Sequence, residues 1–201
     1  MPELTPTYPG DDARGVILES GLTVFAEHGF HGATMRDIAG KAGVSQGLLH
    51  HHFGSKNGLW EKVGERITAD FMAYMTEAVP ADSRPEEGMR AMLRALLSYW
   101  KEHPLAFRFN HWRLLEGPKT ERVSRSRHIA QPGVALVQKA QEAGFIRDDM
   151  PPGLALVMTG SIIQFWLHSA LEVRDALAVT GDETLGDEAF LDHVLSLVRA
   201  V

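Results

Sequence analysis

Between Thr34 and Phe53 the chain carries two runs of helical apolar spacing, each barely two turns long and separated by Gly43. Thr34 stands three residues before Asp37, the arrangement in which a hydroxyl and a carboxylate close the first turn of a helix. Ile38, Ala39 and Ala42 then share one side. Beyond Gly43, Ser45 is placed to cap a second short helix ending near Phe53, where Leu49 and Phe53 point the same way. Helices this short are marginal in isolation, so each must lean on a neighbour. Short helix, glycine turn, short helix is the helix-turn-helix arrangement.

The rest of the chain has the same helical period, and no stretch alternates as a strand would. A first helix is expected over about 12–28, with Ile17, Leu18, Leu22, Val24 and Phe25 on its apolar side and Gly29 as its stop. Ser55 caps a fourth helix, over about 55–78, whose apolar positions run from Leu59 and Trp60 to Met75. After a break at 79–88, Ser83 and Glu86 form a second capping box for a helix carrying Met89, Leu93, Leu97 and Trp100. Pro104 opens the next helix, since proline suits a first position, and "EGP" at 116–118 closes it. "KTERVSRSRH" begins a polar, solvated basic helix or loop that Pro132 kinks; a helix resumes from Val134 to Ala143 and stops at Gly144. Pro151 and Pro152 open one long helix, apolar on every side, and a last helix carries Phe190, Leu191, Val194, Leu195, Leu197 and Val198. The expectation is an all-α chain of roughly nine helices. A flexible tail occupies 1–11, a three-helix helix-turn-helix domain 12–56, and a second helical domain 57–201, with the helix at about 55–78 linking the two.

Composition narrows the function. At 44% hydrophobic and 23% charged, the chain is neither disordered nor collagen-like. With no cysteine it has no disulfide, no thiolate nucleophile and no Cys-ligated zinc. No run approaches 18 apolar residues and the acidic, proline-broken start lacks a secretory profile, so no membrane partner and a cytoplasmic location are expected. The net charge of −6 argues against bulk affinity for nucleic acid. Residues 34–56 run the other way, with Arg36, Lys41 and Lys56 against Asp37 alone.

That segment also holds three consecutive histidines, His50, His51 and His52. Successive helical residues point about 100° apart, whereas two ligands of one ion need i, i+3 or i, i+4 spacing, so a metal is disfavoured. A nucleic-acid surface fits better. With Leu49 and Phe53 inward, Gly47 and His51 face outward, flanked by Leu48 and His50. Gly47 lets a phosphate backbone approach, the histidines can bond phosphates or base edges, and Gln46 can read adenine. Ser55 and Lys56 begin a helix whose first amides suit an anion.

"ILESGLTVFAEHGFHGATMRDIAGKAGVSQGLLHHHFGSKNGLW" resembles the DNA-binding segment of the TetR family of bacterial transcriptional regulators. The likeness rests on Phe25, Gly29, Thr34, Ile38-Ala39, Ala42-Gly43-Val44-Ser45, Gly47, the aromatic-rich run to Phe53, Ser55-Lys56 and Leu59. It implies DNA contact at Thr34, Arg36, Ser45, Gln46, Gly47, Leu48, His50, His51, His52 and Lys56. Where relatives carry two tyrosines, this chain has His50 and His51. The resemblance also implies that the second domain binds a small-molecule effector and forms a homodimer, through the helices at about 152–176 and 187–200. Trp100, Phe107, His111, Trp112, Met158, Phe165, Trp166 and His168 are candidates for lining the effector site, with core packing as the plain alternative for the aromatic residues.

The function expected is a ligand-responsive DNA-binding regulator, a repressor released from an inverted-repeat operator by a mainly apolar molecule, with no cofactor. Glu-x-x-His pairs, a P-loop and a dinucleotide fingerprint are missing from the sequence, so no enzyme is expected. The alternative is a helical ligand-binding or scaffold protein whose helix-turn-helix is only structural.

Overall fold

The structure is a computed structural model that describes residues 10–80 and 82–200, so the tail expected at 1–11 falls almost wholly outside it. The described residues form ten helices: α1 (Gly10–Gly32), α2 (Met35–Ala42), α3 (Gln46–Phe53), α4 (Lys56–Ala78), α5 (Pro85–Glu102), α6 (Pro104–Glu116), α7 (Lys119–Glu142), α8 (Pro152–His168), α9 (Ala170–Ala178) and α10 (Asp187–Ser196). No strand forms among the described residues beyond an isolated antiparallel bridge between Ile146 and Arg199. No single helix is long and apolar enough to cross a membrane.

The all-α expectation holds, with four local corrections. The long apolar helix from 152 is two helices, α8 and α9, bent by 90°. Ser169 leaves helical geometry at φ −112°, ψ 39°, and its carbonyl opens the new helix by accepting from the Val173 amide. Gly29 breaks the helix without ending it: at φ 70°, ψ −176° it puts a bend inside α1, which resumes to Gly32. Ser83 makes no capping box with Glu86, because its hydroxyl donates to the Pro80 carbonyl and α5 starts at Pro85. Finally, α7 runs unbroken through Pro132.

The chain forms two compact units. The first takes the residues up to Asp70 and then His103–Val123; the second takes Phe71–Glu102 and the residues from Ser124 on. In the first unit α1 is the spine, and α2 and α6 both pack on it. Trp60 sits among Phe25, Phe30 and Phe109, with ring centroids 5.0, 5.4 and 4.4 Å away. Near-perpendicular and tilted rings of this kind bury large areas and add attraction between ring edge and face. Ile17, Ile38, Leu49 and Leu59 are fully enclosed around them.

Two polar devices lock α6 into this unit. Trp112 donates from its indole to the Ala26 carbonyl at 3.2 Å, and Glu116 accepts from the Phe30 amide at 2.6 Å. Both side chains press on Gly29, where a Cβ would lie 2.9 Å from the indole. One turn away the buried Arg113 donates to the Gly64 carbonyl at 3.1 Å and pairs with Glu121. Glycine at 64 makes room for this contact: a Cβ there would lie 2.7 Å from the guanidinium carbon and would push Arg113 aside.

The second unit packs Met89, Leu93 and Leu97 of α5 against Ala155 and Ile163 of α8, Val137 and Ala140 of α7, and Leu191 and Val194 of α10. Trp166 stacks on Phe190 at 4.0 Å. Across α5 and α10, Arg90 pairs with Asp192, Arg94 with Glu188 and Lys101 with Asp187. The Arg94 guanidinium holds the Glu188 carboxyl below the usual carboxylate range, chiefly through its hydrogen bond.

Candidate nucleic-acid interface

The motif from α2 to α3 is built from short-range caps. The Thr34 hydroxyl accepts from the Asp37 amide at 3.1 Å, which caps α2 as expected, and donates to the Asp37 carboxylate at 2.6 Å, so the carboxylate meets the hydroxyl and not the Thr34 backbone amide of a full capping box. Gly43 ends α2 in the left-handed conformation, φ 66° and ψ 29°, where a Cβ would be strained. The Ser45 hydroxyl then accepts from the Leu48 amide at 3.1 Å and starts α3. These are the signals the sequence displayed.

Leu49 and Phe53 anchor one side of α3 in the core. Gln46, Gly47, His50 and His51 are all exposed, with Gly47 and His51 pointing furthest from the buried pair. A Cβ at Gly47 would meet nothing closer than 3.8 Å, so no internal contact demands a glycine there. Glycine in a helix costs about 0.5–1 kcal/mol relative to alanine. What it provides is a bare backbone that an outside partner can approach. On α2, Arg36 and Lys41 are also exposed. Asp37, the one carboxylate of the segment, has its charge bonded to Thr34. The surface is therefore cationic, with exposed amide and imidazole side chains, and suits an anionic polymer.

The ten residues expected at DNA divide by geometry. Arg36, Gln46, Gly47, His50 and His51 share the exposed side of the motif. Thr34 and Ser45 are exposed, but their hydroxyls serve as caps. Leu48 and His52 are half-buried, and the His52 ring lies between those of His51 and Phe53 at 5.5 and 6.1 Å. Lys56 is engaged within the motif. Its ammonium donates to the Phe30 and Ala33 carbonyls at 2.7 and 2.9 Å and sits 4.6 Å from the Phe30 ring, so it clasps the α1–α2 turn rather than reaching outward. Only the N-terminal amides of α4 remain there to face an anion. Ser55 caps that helix by accepting from Gly58 at 3.1 Å.

Sequence reasoning missed Arg14, which lies over the Phe53 ring at 5.8 Å and joins α1 to α3. It also left Lys41 as a charge without a place; its position in the last turn of α2, on the exposed side, supplies one.

The eight effector candidates fall into two groups. Phe107, His111 and Trp112 belong to α6 in the first unit: the His111 ring lies 4.4 Å from Phe107, with Nδ1 2.9 Å from its carbonyl, and Trp112 is committed to Ala26 and Gly29. The other five lie in the second unit. Trp100 packs with Phe71 and Tyr99, Trp166 stacks on Phe190, and His168 Nδ1 lies 2.9 Å from the Ser169 hydroxyl. Met158 and Phe165 turn outward on α8, together with Leu154 at 47% and Val157 at 61% exposure. The inward side of the same helix is Ala155, Thr159 and Ile163. A recess between α5 and α10 encloses only about 10 Å³, and none of the eight lines it. No three His, Asp or Glu side chains among the described residues are grouped to hold a metal.

Comparison with known proteins matches both parts. Residues 17–63 fit the model for bacterial regulatory proteins of the tetR family, and residues 90–188 fit a tetracyclin repressor-like C-terminal domain. The chain is 27% identical over 191 residues to the HTH-type transcriptional repressor AcnR of Corynebacterium diphtheriae, covering 93% of this chain and 92% of that one. It is 28% identical over 189 residues to an HTH-type transcriptional repressor of Streptomyces coelicolor, with 92% of each chain covered. Among solved structures it resembles a TetR family transcription regulator from Marinobacter aquaeolei, with a TM-score of 0.77, 18% identity and coverage of 95% and 97%.

Proposed function

This chain belongs to the tetR family of bacterial regulatory proteins, and from that premise we propose that it is a ligand-responsive transcriptional repressor that binds an inverted-repeat operator as a homodimer. One observation carries the DNA-reading part: α3 buries Leu49 and Phe53 while Gln46, Gly47, His50 and His51 stay exposed beside Arg36 and Lys41. In this assignment residues 12–56 read DNA, α4 is the link, and the helices within 57–201 hold the effector and the dimer contact.

The dimer part of the proposal rests on α8. Its outward Leu154, Val157, Met158 and Phe165 form an apolar stripe about three turns long, which water disfavours and a second subunit would cover. Leu171 of α9 and Leu197, just past α10, are exposed as well. Met158 and Phe165 then belong to the subunit contact, and Trp100, Trp166 and His168 remain as the effector candidates of the second unit. The effector is a mainly apolar molecule, and it must bind the conformation unfit for DNA more tightly than the fit one, because equal affinity shifts nothing.

Selection of bound duplexes from a random pool, followed by gel shifts across salt, tests the proposal. Two inverted half-sites, spaced to bring two α3 helices into successive major grooves or a multiple of that distance, are expected. A single asymmetric half-site bound by a monomer overturns the dimer assignment. The absence of salt-dependent binding to any duplex overturns the DNA reading and favours the scaffold alternative.

A further inference from the structure

His50 is the only one of the three histidines whose ring is anchored to backbone: its Nδ1 lies 2.9 Å from the Gly54 carbonyl oxygen, just past the end of α3. A carbonyl oxygen can only accept, so Nδ1 carries the hydrogen. The neutral ring then presents Nε2 as a bare lone pair on the exposed side of α3. Phosphate oxygens, guanine O6 and N7, adenine N7 and thymine O4 are all acceptors as well. Against any of them a neutral His50 sets lone pair against lone pair. A protonated His50 keeps the same bond to Gly54 and gains an Nε2–H donor without moving the ring.

We propose that His50 is a proton-dependent DNA contact: the bound complex takes up one proton per subunit at His50 Nε2, which then donates to a phosphate or a base-edge acceptor. The inference rests on the DNA-reading function proposed above. The surroundings of α3 favour the cation at a phosphate. His50 lies in the last turn of α3, where unsatisfied carbonyls attract positive charge. The charged side chains described on the neighbouring elements include Arg14 on α1, over Phe53; Arg36, Asp37 and Lys41 on α2; and Lys56 and Glu61 at the start of α4; further along, Glu19 of α1 pairs with Arg66 of α4 and Lys62 with Glu65. His51 and His52 share its own helix. The Asp37 and Glu61 carboxylates are occupied elsewhere, by Thr34 and Asn57, and the Lys56 ammonium is held by carbonyls. Among the described residues no carboxylate pairs with His50, and a DNA phosphate would supply a counter-charge for the proton.

Binding that makes this proton ten times harder to remove strengthens affinity toward acid by up to about tenfold per subunit, by linkage. The test measures affinity of the full chain for the selected duplex by fluorescence anisotropy from pH 8 to 6, and counts protons by calorimetry in two buffers of different ionisation enthalpy. His50→Asn keeps a donor toward Gly54 but cannot titrate, and His51→Asn is the companion; circular dichroism at each pH confirms that helicity is constant. The expected result is a gain toward acid with proton uptake, lost in His50→Asn and retained in His51→Asn. Binding by the wild type with a flat pH profile and no proton uptake overturns the proposal while leaving the DNA-reading function standing. A gain that survives in His50→Asn overturns it too. If no duplex is bound at any pH, the DNA-reading function fails and this inference with it. Should His50→Asn fail to fold, the ¹⁵N shift of His50 Nε2 in the wild type decides: it must change from bare to protonated when duplex is added at pH 7.5, and an unchanged shift refutes the proposal.

Discussion

Replacing Gly29 by alanine probes how α6 holds the DNA-reading helices. The backbone at φ 70°, ψ −176° lies in a region that only glycine occupies freely, and forcing alanine into it costs about 1–3 kcal/mol. The added methyl would sit 2.9 and 3.1 Å from two indole carbons of Trp112 and 3.0 Å from a Glu116 oxygen. The indole cannot swing away without giving up its bond to the Ala26 carbonyl, worth about 0.5–1.5 kcal/mol. Glu116 cannot retreat without releasing the Phe30 amide, worth about 1.5–3 kcal/mol for a charged acceptor. Together these bracket a destabilisation of about 3–7.5 kcal/mol, a large part of the roughly 5–15 kcal/mol that holds a domain folded. Urea unfolding followed by circular dichroism measures it. Gly40→Ala is the control, because a Cβ there meets nothing within 4 Å and a helical glycine-to-alanine change stabilises by about 0.5–1 kcal/mol. In a Trp112→Ala background the further loss from Gly29→Ala should shrink by the indole's share, leaving the backbone and Glu116 shares. A loss below about 1 kcal/mol for Gly29→Ala, or the same loss in both backgrounds, would falsify the clamp.

Lys56→Met should lower stability by about 2 kcal/mol and leave the salt dependence of DNA binding unchanged, since its ammonium serves two carbonyls; Arg36→Ala should do the reverse, reducing the salt slope by roughly one unit. A changed salt slope for Lys56→Met with normal stability would return that residue to the DNA surface. Val157→Asp with Phe165→Asp puts two charges on the outward stripe of α8, and light scattering should then find the 22.2 kDa monomer where the wild type gives twice that mass. An unchanged dimer would move the subunit contact elsewhere. The depressed Glu188 carboxyl stabilises the fold above the unfolded carboxylate value, about 4.3, and that share is lost as pH falls through its lower folded value. Arg94→Gln should therefore flatten the fall in melting temperature between about pH 5 and 3; an identical acid profile would show that the exposed pair contributes nothing.

What the sequence made legible was local. Thr34 with Asp37, Gly43, Ser45 and Ser55 each act within three or four residues, and each occupies its expected place. The inward pair Leu49 and Phe53 was legible for the same reason, because helical period is a property of neighbours. What stayed hidden was set by distant partners. Lys56 reads as an outward cation until the Phe30 carbonyl, 26 residues away, is placed beside it. Nothing near Trp112 in the sequence announces that Ala26, 86 residues away, accepts its indole hydrogen. The bend at Ser169 was invisible because the apolar pattern passes through it without a glycine or proline.

The first unit is discontinuous in the chain: α6 completes it after the excursion of residues 71–102. A chimera that grafts residues 1–78 of this protein onto another regulator's effector half would leave behind Phe109, Trp112, Arg113 and Glu116. Trp60 would lose the ring that packs at 4.4 Å, Gly29 its wedge, and the Gly64 carbonyl its donor. The reader module is therefore not a portable cassette that ends where α4 ends. Swapping operator specificity between such proteins requires either exchanging α6 along with α1–α4, or confining the exchange to the exposed positions of α2 and α3 that the scaffold does not use.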